Sequence, residues 1–588
     1  MKRASTTKKP GVGRFRPRSL ELLGQGRVPF SLGSEITSGI TVGLIALPLA
    51  LALGIASVPA GMDTPLPAPA LGIFTAILAG FIISGFGGSR VQIGGPTAAF
   101  IPIILLIISE HGYVGLMAAT MMAGVIQIAM GATGLGRLIK YIPWPVTSGF
   151  TTGIAVAIML TQVPDFIGLS GESAMPREFV EKLPWLLEHF GGFNPYTLAL
   201  AVFALLLILI WPKLKIPFLP GSIVAMLGLT VVVAALGWGD QHAVATIGAK
   251  FGADAIPSGF PMPHLPAIEW AMLRDLIGPA TAIALLGSIE SLLSAVVADG
   301  LSGDRHDSNT ELIAQGLANL TCPFFGGLPA TGAIARTSAN VNSGGKTPLA
   351  GIIHALTLLA IVLLAAKWAV YIPMAAMSAV LIVVALRMGE WHELARLHKM
   401  TASDALVLLT TFGLTVVFDL VVAVEVGMVL AAILYIKRVS ETTEVSQVTE
   451  NDMLERPEQI AQGKAIPKDV LVYRIFGPFL FGAAEKMEDA ISRTQGLPKV
   501  LILRLHLVSA MDATGMNALE SVVERIRNHG GTVVISGIHQ QPLQMLRKAD
   551  FIETIGMENF CATFDDSLER AKQLIAAPPA QHKDIGHT

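Results

Sequence analysis

The stretch FFGGLPATGAIARTSANVNSGG, Phe324–Gly345, lies between two long apolar runs, yet it is rich in Gly, Pro, Ser, Thr and Asn and carries a single charge, Arg336. Inside a bilayer such backbone is tolerated only where it lines a cavity or is buried in protein. A second stretch of the same kind, VQIGGPTAAFIPIILLII, spans Val91–Ile108. In each, Gly and Pro start the segment in an extended or turning conformation before a short apolar helix begins.

The rest of the chain makes lipid the relevant solvent. Of 588 residues, 52% are hydrophobic and 14% charged, with a mean hydropathy of +0.62. Soluble domains carry about 25% charge. Many apolar runs approach or exceed the roughly 18 residues that cross a bilayer, which excludes a large soluble protein. The net charge of −2 says little, because the charges are segregated by region. Cys322 and Cys561 lie far apart and have no metal-ligand spacing, so neither a disulfide framework nor a zinc site is expected. The first thirty residues are basic and lack the apolar core of a cleavable signal peptide.

Four regions follow: a basic arm over 1–35, a membrane domain over 36–439, a linker over 440–467 and a soluble domain with a C-terminal tail over 468–588. Apolar segments fall near 36–56, 70–86, 97–109, 113–134, 144–162, 196–211, 221–237, 276–298, 311–321, 331–342, 347–368, 373–387, 404–418 and 421–437. With the arm inside, Arg137, Lys140, Lys213, Lys215, Arg387, Arg396, Lys399, Lys437 and Arg438 all fall on the same side. Both termini are therefore expected in the cytoplasm of a bacterial inner membrane, with an even number of spans. The longer outside loops, near 163–195 and 238–275, are expected to be structural.

The two broken stretches are the third and tenth of fourteen segments, seven apart. This spacing suggests two inverted halves whose interrupted helices meet near the bilayer midplane. Free backbone N–H groups and the helix dipole make such N-termini attractive to an anion. The expected binding groups are Gly95, Pro96, Thr97 and Ala98 on one side and Ile334, Ala335, Arg336 and Thr337 on the other. Arg336 either faces the pocket or is neutralised by a carboxylate or carbonyls. Close helix packing is the plainer explanation of the glycines.

Glu290 sits among apolar neighbours in the eighth segment, with Ser291 beside it and Ser294 one turn on. An intramembrane carboxylate is a functional candidate: Glu290 and Ser294 form the expected coupling-ion site, for H+ or for Na+ held with hydroxyls. A purely structural contact between the eighth and tenth segments is the alternative. Glu425, in the last span, has no polar cluster around it and is expected to be structural or at the lipid edge.

The stretches ALPLALALGIASVPA, GGPTAAF, IESLLSAVVADGLSGDRHDSNTELIAQGLANL and PATGAIARTSANV resemble the SulP/SLC26 anion transporters, over nearly the whole chain past the arm. Within that family the chain is most similar to the bacterial branch that includes the C4-dicarboxylate transporter DauA. The resemblance implies fourteen spans in a seven-plus-seven inverted repeat, a core and a gate domain, a homodimer and elevator motion of the core. It places the substrate between the third and tenth helices, with Leu49 and Leu53 of the first helix as further lining. Leu at 49, where animal members often carry Gln, makes that wall apolar. Glu290 falls where cyanobacterial bicarbonate members place an Asp of their sodium site, and Glu there resembles the branch thought to be proton-coupled.

From Asp469 the runs DVLVYRIFG, KVLILRL and GTVVISGI alternate with helical patterns such as MNALESVVERIRNHG, which predicts a small α/β sheet. The layout resembles a STAS domain. MDATG, Met511–Gly515, resembles the turn that carries a phosphorylated Ser in STAS anti-sigma antagonists, here at Thr514; Asp512 and Thr514 also suit helix capping. The domain is expected to support dimerisation, folding or docking of a cytoplasmic protein. No P-loop, nucleophile–base pair or metal cluster appears, so neither an enzyme, a cofactor nor a nucleic-acid partner is expected.

The expected function is secondary active transport of a small anion (a C4-dicarboxylate, sulfate or bicarbonate) with H+. The alternatives are an uncoupled channel or exchanger on the same scaffold, and a membrane sensor signalling through the STAS domain. A nucleobase transporter is disfavoured by Arg336 and the STAS domain.

Overall fold

A computed structural model of the chain describes residues 15–20, 31–59, 61–137, 143–169, 175–176, 179–214, 220–264, 268–418, 420–448, 466–492 and 498–576. Most of the basic arm and the middle of the expected linker lie outside them. The chain divides into two compact units, Met1–Val429 and Leu430–Thr588.

Each of the fourteen apolar segments contains a helix. In the first half these are α1 (Leu32–Ser57), α2 (Ala68–Phe86), α3 (Ile101–Ala132), α4 (Trp144–Ile167), α5 (Pro195–Ile210) and α6 (Gly221–Leu236). In the second half they are α7 (Ile277–Ser302), α8 (Ser308–Thr321), α9 (Ile334–Asn342), α10 (Pro348–Ala369), α11 (Met374–Met388), α12 (Ala402–Val417) and α13 (Leu420–Thr442). The third and fourth segments share α3, which breaks at Gly112, where φ is 66° and ψ −173°. Seven of the described helices are long and apolar enough to cross a membrane, and α6, α11 and α12 are shorter apolar helices. The outer loops hold short helices of their own, including Phe179–His189 and Trp270–Asp275.

Local chemistry starts the helices. The Asn194 side chain accepts from the N–H groups of Tyr196 and Thr197 at the head of α5, and Asp307 does the same for Asn309 and Thr310 at α8. Thr347 caps α10 with Pro348 at its first position. Large apolar side chains fill the core, Leu71, Phe74, Phe100 and Ile107 among them. Others point outward, such as Leu364 at 80% exposure and Trp368 at 70%. A helix that is apolar all round is at home in lipid.

The second unit is a five-stranded sheet in the order β3 (Glu444–Gln447), β4 (Val470–Phe476), β5 (Val500–Leu507), β6 (Thr532–Ser536), β7 (Phe560–Cys561). Strand β3 is antiparallel to β4 and the other pairs are parallel. Helix α14 (Phe481–Ser492) follows β4, and α15 (Ala513–Asn528) follows β5. Helix α16 (Gln540–Lys548) follows β6, and α17 (Phe551–Ile555) precedes β7. One face of the sheet packs residues of these helices, including Met487, Leu519, Val523 and Leu546. The other buries Val472, Ile502 and Val534 under Leu568 and Ala571 of α18 (Phe564–Ala576). Strand β3 falls within the stretch expected as linker: it is an edge strand, short, polar and half-exposed, and gives no alternating apolar signal. Arg474 and Arg504 are partners in register on β4 and β5. Burial, with Arg504, Arg474 and His539 close by, holds the His506 imidazole below its ordinary value.

Candidate functional site

The two broken stretches meet. Gly94–Gly95 (β1) and Thr331–Gly332 (β2) form an antiparallel pair, Gly94 opposite Gly332 and Gly95 opposite Thr331. The Ala333 N–H donates to the Ile93 carbonyl at 2.8 Å. Each strand then turns into a helix: a 3₁₀ turn, Ala98–Phe100, leads into α3, and Ala333 leads into α9. The first turns of two helices therefore start from one short ladder, which is the arrangement expected for an anion cradle.

The side chains around the ladder satisfy buried backbone groups that so short a pairing leaves over. Asn319 accepts from the Ala330 N–H at 2.7 Å and donates to the Ala330 carbonyl at 3.0 Å. The Thr331 hydroxyl donates to the Gly287 carbonyl at 2.7 Å, tying β2 to α7. Asn340 donates to the Val91 carbonyl at 2.8 Å, and Ser38 of α1 donates to the Asn340 side chain at 2.7 Å. Gln92 donates to the Ser291 carbonyl and hydroxyl at 3.1 and 3.2 Å. Two glycines are required by space. A Cβ at Gly332 would overlap the Gln92 amide, and one at Gly95, where φ is +150°, would overlap Arg336 Nη1.

Most of the expected binding residues gather here. Thr97 is half-buried at the head of the 3₁₀ turn, and its hydroxyl donates to Glu290 Oε2 at 2.8 Å. Thr337 is fully buried; its Oγ1 accepts from the Ile93 N–H at 3.0 Å and lies 3.1 Å from Ser294 Oγ. Thus Glu290 and Ser294 both reach the ladder, but each takes a different threonine. Ile334 is 43% exposed and Ala335 is exposed, so the first turn of α9 is open. Gly95, Pro96 and Ala98 are buried beneath it. Arg336 is 2% exposed and donates through Nη2 to the Pro96 carbonyl, so it crosses the ladder. Leu49 is half-buried on α1; Leu53, at 3% exposure, is enclosed in the core and offers the site little surface. Glu425 is exposed on α13.

Glu311, not singled out from the sequence, is fully buried. It accepts from the Gly88 and Ser89 N–H groups at 2.9 and 3.2 Å and from Gln315 at 3.0 Å. Standing first in the ninth apolar segment, it reads as an end charge; its burial depends on the turn after α2 folding over it. Gln92 and Asn340 are equally silent, since a single amide among small residues has no pattern.

In the second unit Asp512 caps α15, its Oδ1 accepting from the Gly515 N–H at 2.8 Å. Thr514 is exposed in the first turn.

Comparison with known proteins identifies the family and the fold. Residues 32–411 match the Sulfate permease family and residues 464–571 the STAS domain. The chain is 38% identical to the putative sulfate transporter YvdB of Bacillus subtilis over 533 residues, 90% of this chain and 96% of that protein. It is 30% identical to the bicarbonate transporter BicA of Picosynechococcus over 560 residues, 92% of this chain and 95% of that protein. The solved structure of SLC26A9 has the same fold, with a TM-score of 0.82 at 17% identity, covering 94% of this chain and 92% of that one. The chain is a helical membrane protein of the sulfate permease (SulP/SLC26) family of anion transporters, not an enzyme, and it carries a C-terminal STAS domain.

Proposed function

We propose that the chain is a secondary active transporter that takes up a small oxyanion together with H+, binding the anion at the Thr97 and Arg336 sides of the ladder and the proton on Glu290. The observation that carries this reading is the hydrogen bond from Thr97 to half-buried Glu290 at 2.8 Å. It ties the only acid in α7 that contacts the ladder, among the described residues, to the first turn of a half-helix. Ionised Glu290 sets a negative charge beside the cradle and engages the Thr97 hydroxyl. A proton on the carboxyl removes the charge and frees that hydroxyl to turn toward the anion, so the two bind together. The helix N-termini and Arg336 supply the positive potential. Gly95, Pro96, Ala98, Ile334, Ala335 and Thr337 shape the seat, with Leu49 as an apolar wall.

The relatives are named for sulfate and bicarbonate, and this favours an oxyanion; a C4-dicarboxylate rests on the branch resemblance. Elevator motion of the core, a homodimer, cytoplasmic termini in a bacterial inner membrane and docking of a partner at the STAS domain belong to the same proposal. They rest on the family resemblance and on the placement of Lys and Arg.

Proteoliposome uptake of sulfate, bicarbonate and succinate under imposed gradients tests it. Inward H+ should drive accumulation of one of them, and Glu290→Gln should abolish accumulation while binding the anion within about threefold (below 1 kcal/mol) of wild type at low pH, where Glu290 is protonated. Accumulation by the variant sinks the proton assignment. Uptake driven by Na+ alone transfers Glu290 and Thr97 to a sodium site, and gradient-independent uptake marks a channel or exchanger.

A further inference from the structure

Besides Gln92 Oε1, three buried polar atoms beside the ladder have no well-aligned hydrogen-bond partner among the described residues. One is Arg336 Nη1, the guanidinium nitrogen left over from the contact with Pro96. The others are Nδ1 and Nε2 of His354 on α10, a fully buried ring. The imidazole faces the Gly351 carbonyl one turn back, and with its N–H turned there the other ring nitrogen is an acceptor without a partner among the described residues.

Helix α2 places these groups together. A Cβ at Gly80 would lie 3.2 Å from His354 Nδ1 and 3.4 Å from the Gly94 carbonyl oxygen. A Cβ at Gly95 would overlap Arg336 Nη1 and lie 3.4 Å from the Ala76 Cα. Ala76 and Gly80 are one turn apart on the same helix face. The arginine, from α9, and the histidine, from α10, thus flank the Gly94–Gly95 peptide beside successive turns of α2. Native interiors leave few polar groups in this condition, and an enclosed water is the usual resolution.

We infer that one water molecule is held between Arg336 Nη1 and His354, and that His354 is a positioning residue for the arginine. The donor inventory selects water. Guanidinium only donates, and a neutral imidazole has one accepting nitrogen; water accepts from the first and donates to the second. A metal cation is repelled by Arg336, and with the imidazole N–H turned to the Gly351 carbonyl an anion, which cannot donate, leaves the remaining ring acceptor unmet. Arg336 is then fixed at two points, the Pro96 carbonyl and the water on His354, so its charge stays beside the first turn of the half-helix.

This inference rests on the cradle being the anion site. The test uses full-length wild type, His354→Leu and His354→Gln. It measures sulfate binding by calorimetry, KM and kcat for sulfate uptake, and density in a high-resolution structure of the wild type. Leu removes the polar contact; Gln keeps a group that can accept from the water. Leu is expected to weaken sulfate binding and raise KM about tenfold with kcat little changed, and Gln to return both to within about threefold. An ordered peak within hydrogen-bond distance of Nη1 and the ring is expected as well. Unchanged sulfate binding in the Leu variant overturns the inference, as does equal damage from Leu and Gln, which marks a packing role. If the Leu variant does not fold, or if wild type binds no sulfate, the density decides alone: an absent peak refutes the water. Failure of wild type to bind sulfate, bicarbonate and succinate counts against the cradle instead.

Discussion

Replacing Gly332 by alanine asks whether the two-strand ladder is the seat of anion binding. The added Cβ would overlap Gln92 Nε2 and lie 3.2 Å from the Ser291 Cα. Gln92 is 3% exposed and is pinned by its bonds to the Ser291 carbonyl and hydroxyl, so it cannot simply swing away. Moving it gives up two hydrogen bonds, about 1 kcal/mol each. The remaining crowding against α7 backbone adds about 1 kcal/mol more. The total, about 3 kcal/mol, weighs on the arrangement that presents both helix N-termini, so anion affinity should fall between about tenfold and a hundredfold. The assay is calorimetric anion binding to purified protein, with Gln92→Ala and the double variant completing a cycle. Removing the Gln92 amide removes that overlap and leaves only the crowding against α7, so the double variant should bind within about fivefold of Gln92→Ala alone. Wild-type affinity in Gly332→Ala would refute the ladder as the seat. A double variant whose loss equals the product of the single losses would refute the role of Gln92.

Three further outcomes are expected. Arg336→Ala should weaken a divalent anion such as sulfate at least about tenfold more than a monovalent one, about 1.4 kcal/mol, read as the ratio of their dissociation constants; equal losses would mark the residue as only a brace for Pro96. Asp512→Ala should cost about 1 kcal/mol at the head of α15, seen as faster hydrogen exchange over 513–517, with transport unchanged. Because His506 is held below its ordinary value, the unfolded chain takes up its proton more readily than the folded domain. The stability it contributes is present above about pH 6.5 and is lost as the pH falls through and below that value. Exchange of β5 amides, corrected for intrinsic rates, should accelerate from pH 7.5 to pH 5.5, and His506→Gln should remove that acceleration.

The sequence carried the long-range plan better than the local contacts. Apolar run length located the unbroken helical segments, because span length is imposed by the bilayer and not by partners. Gly-Pro punctuation located both broken stretches and, with Glu290, most of the residues that gather at the ladder. What it did not carry was pairing. That Thr97 goes to Glu290 while Thr337 goes to Ser294 depends on helix rotation, which no single segment encodes. Leu53 belonged to the expected lining but is enclosed, a matter of about one turn on α1. His354 was legible as well: the rule that singles out Glu290 and Glu425 applies equally to a histidine inside GIIHALTLLAIVLL. Strand β3 was illegible for another reason, since a polar edge strand takes its shape from β4.

The ladder also limits how the chain can move. A jaw opens by parting its two faces, but here the faces are stitched by backbone pairing, by Asn340 to Val91, and by Arg336 to Pro96. Parting them would strand buried amides and carbonyls in a lipid-depth interior, where water cannot replace the lost partners. The seat behaves like a sealed cup, not a clamp. On the proposed transport cycle an occupant would leave by the rim at Thr97 and Ile334, and the core would carry that rim intact from one side of the membrane to the other.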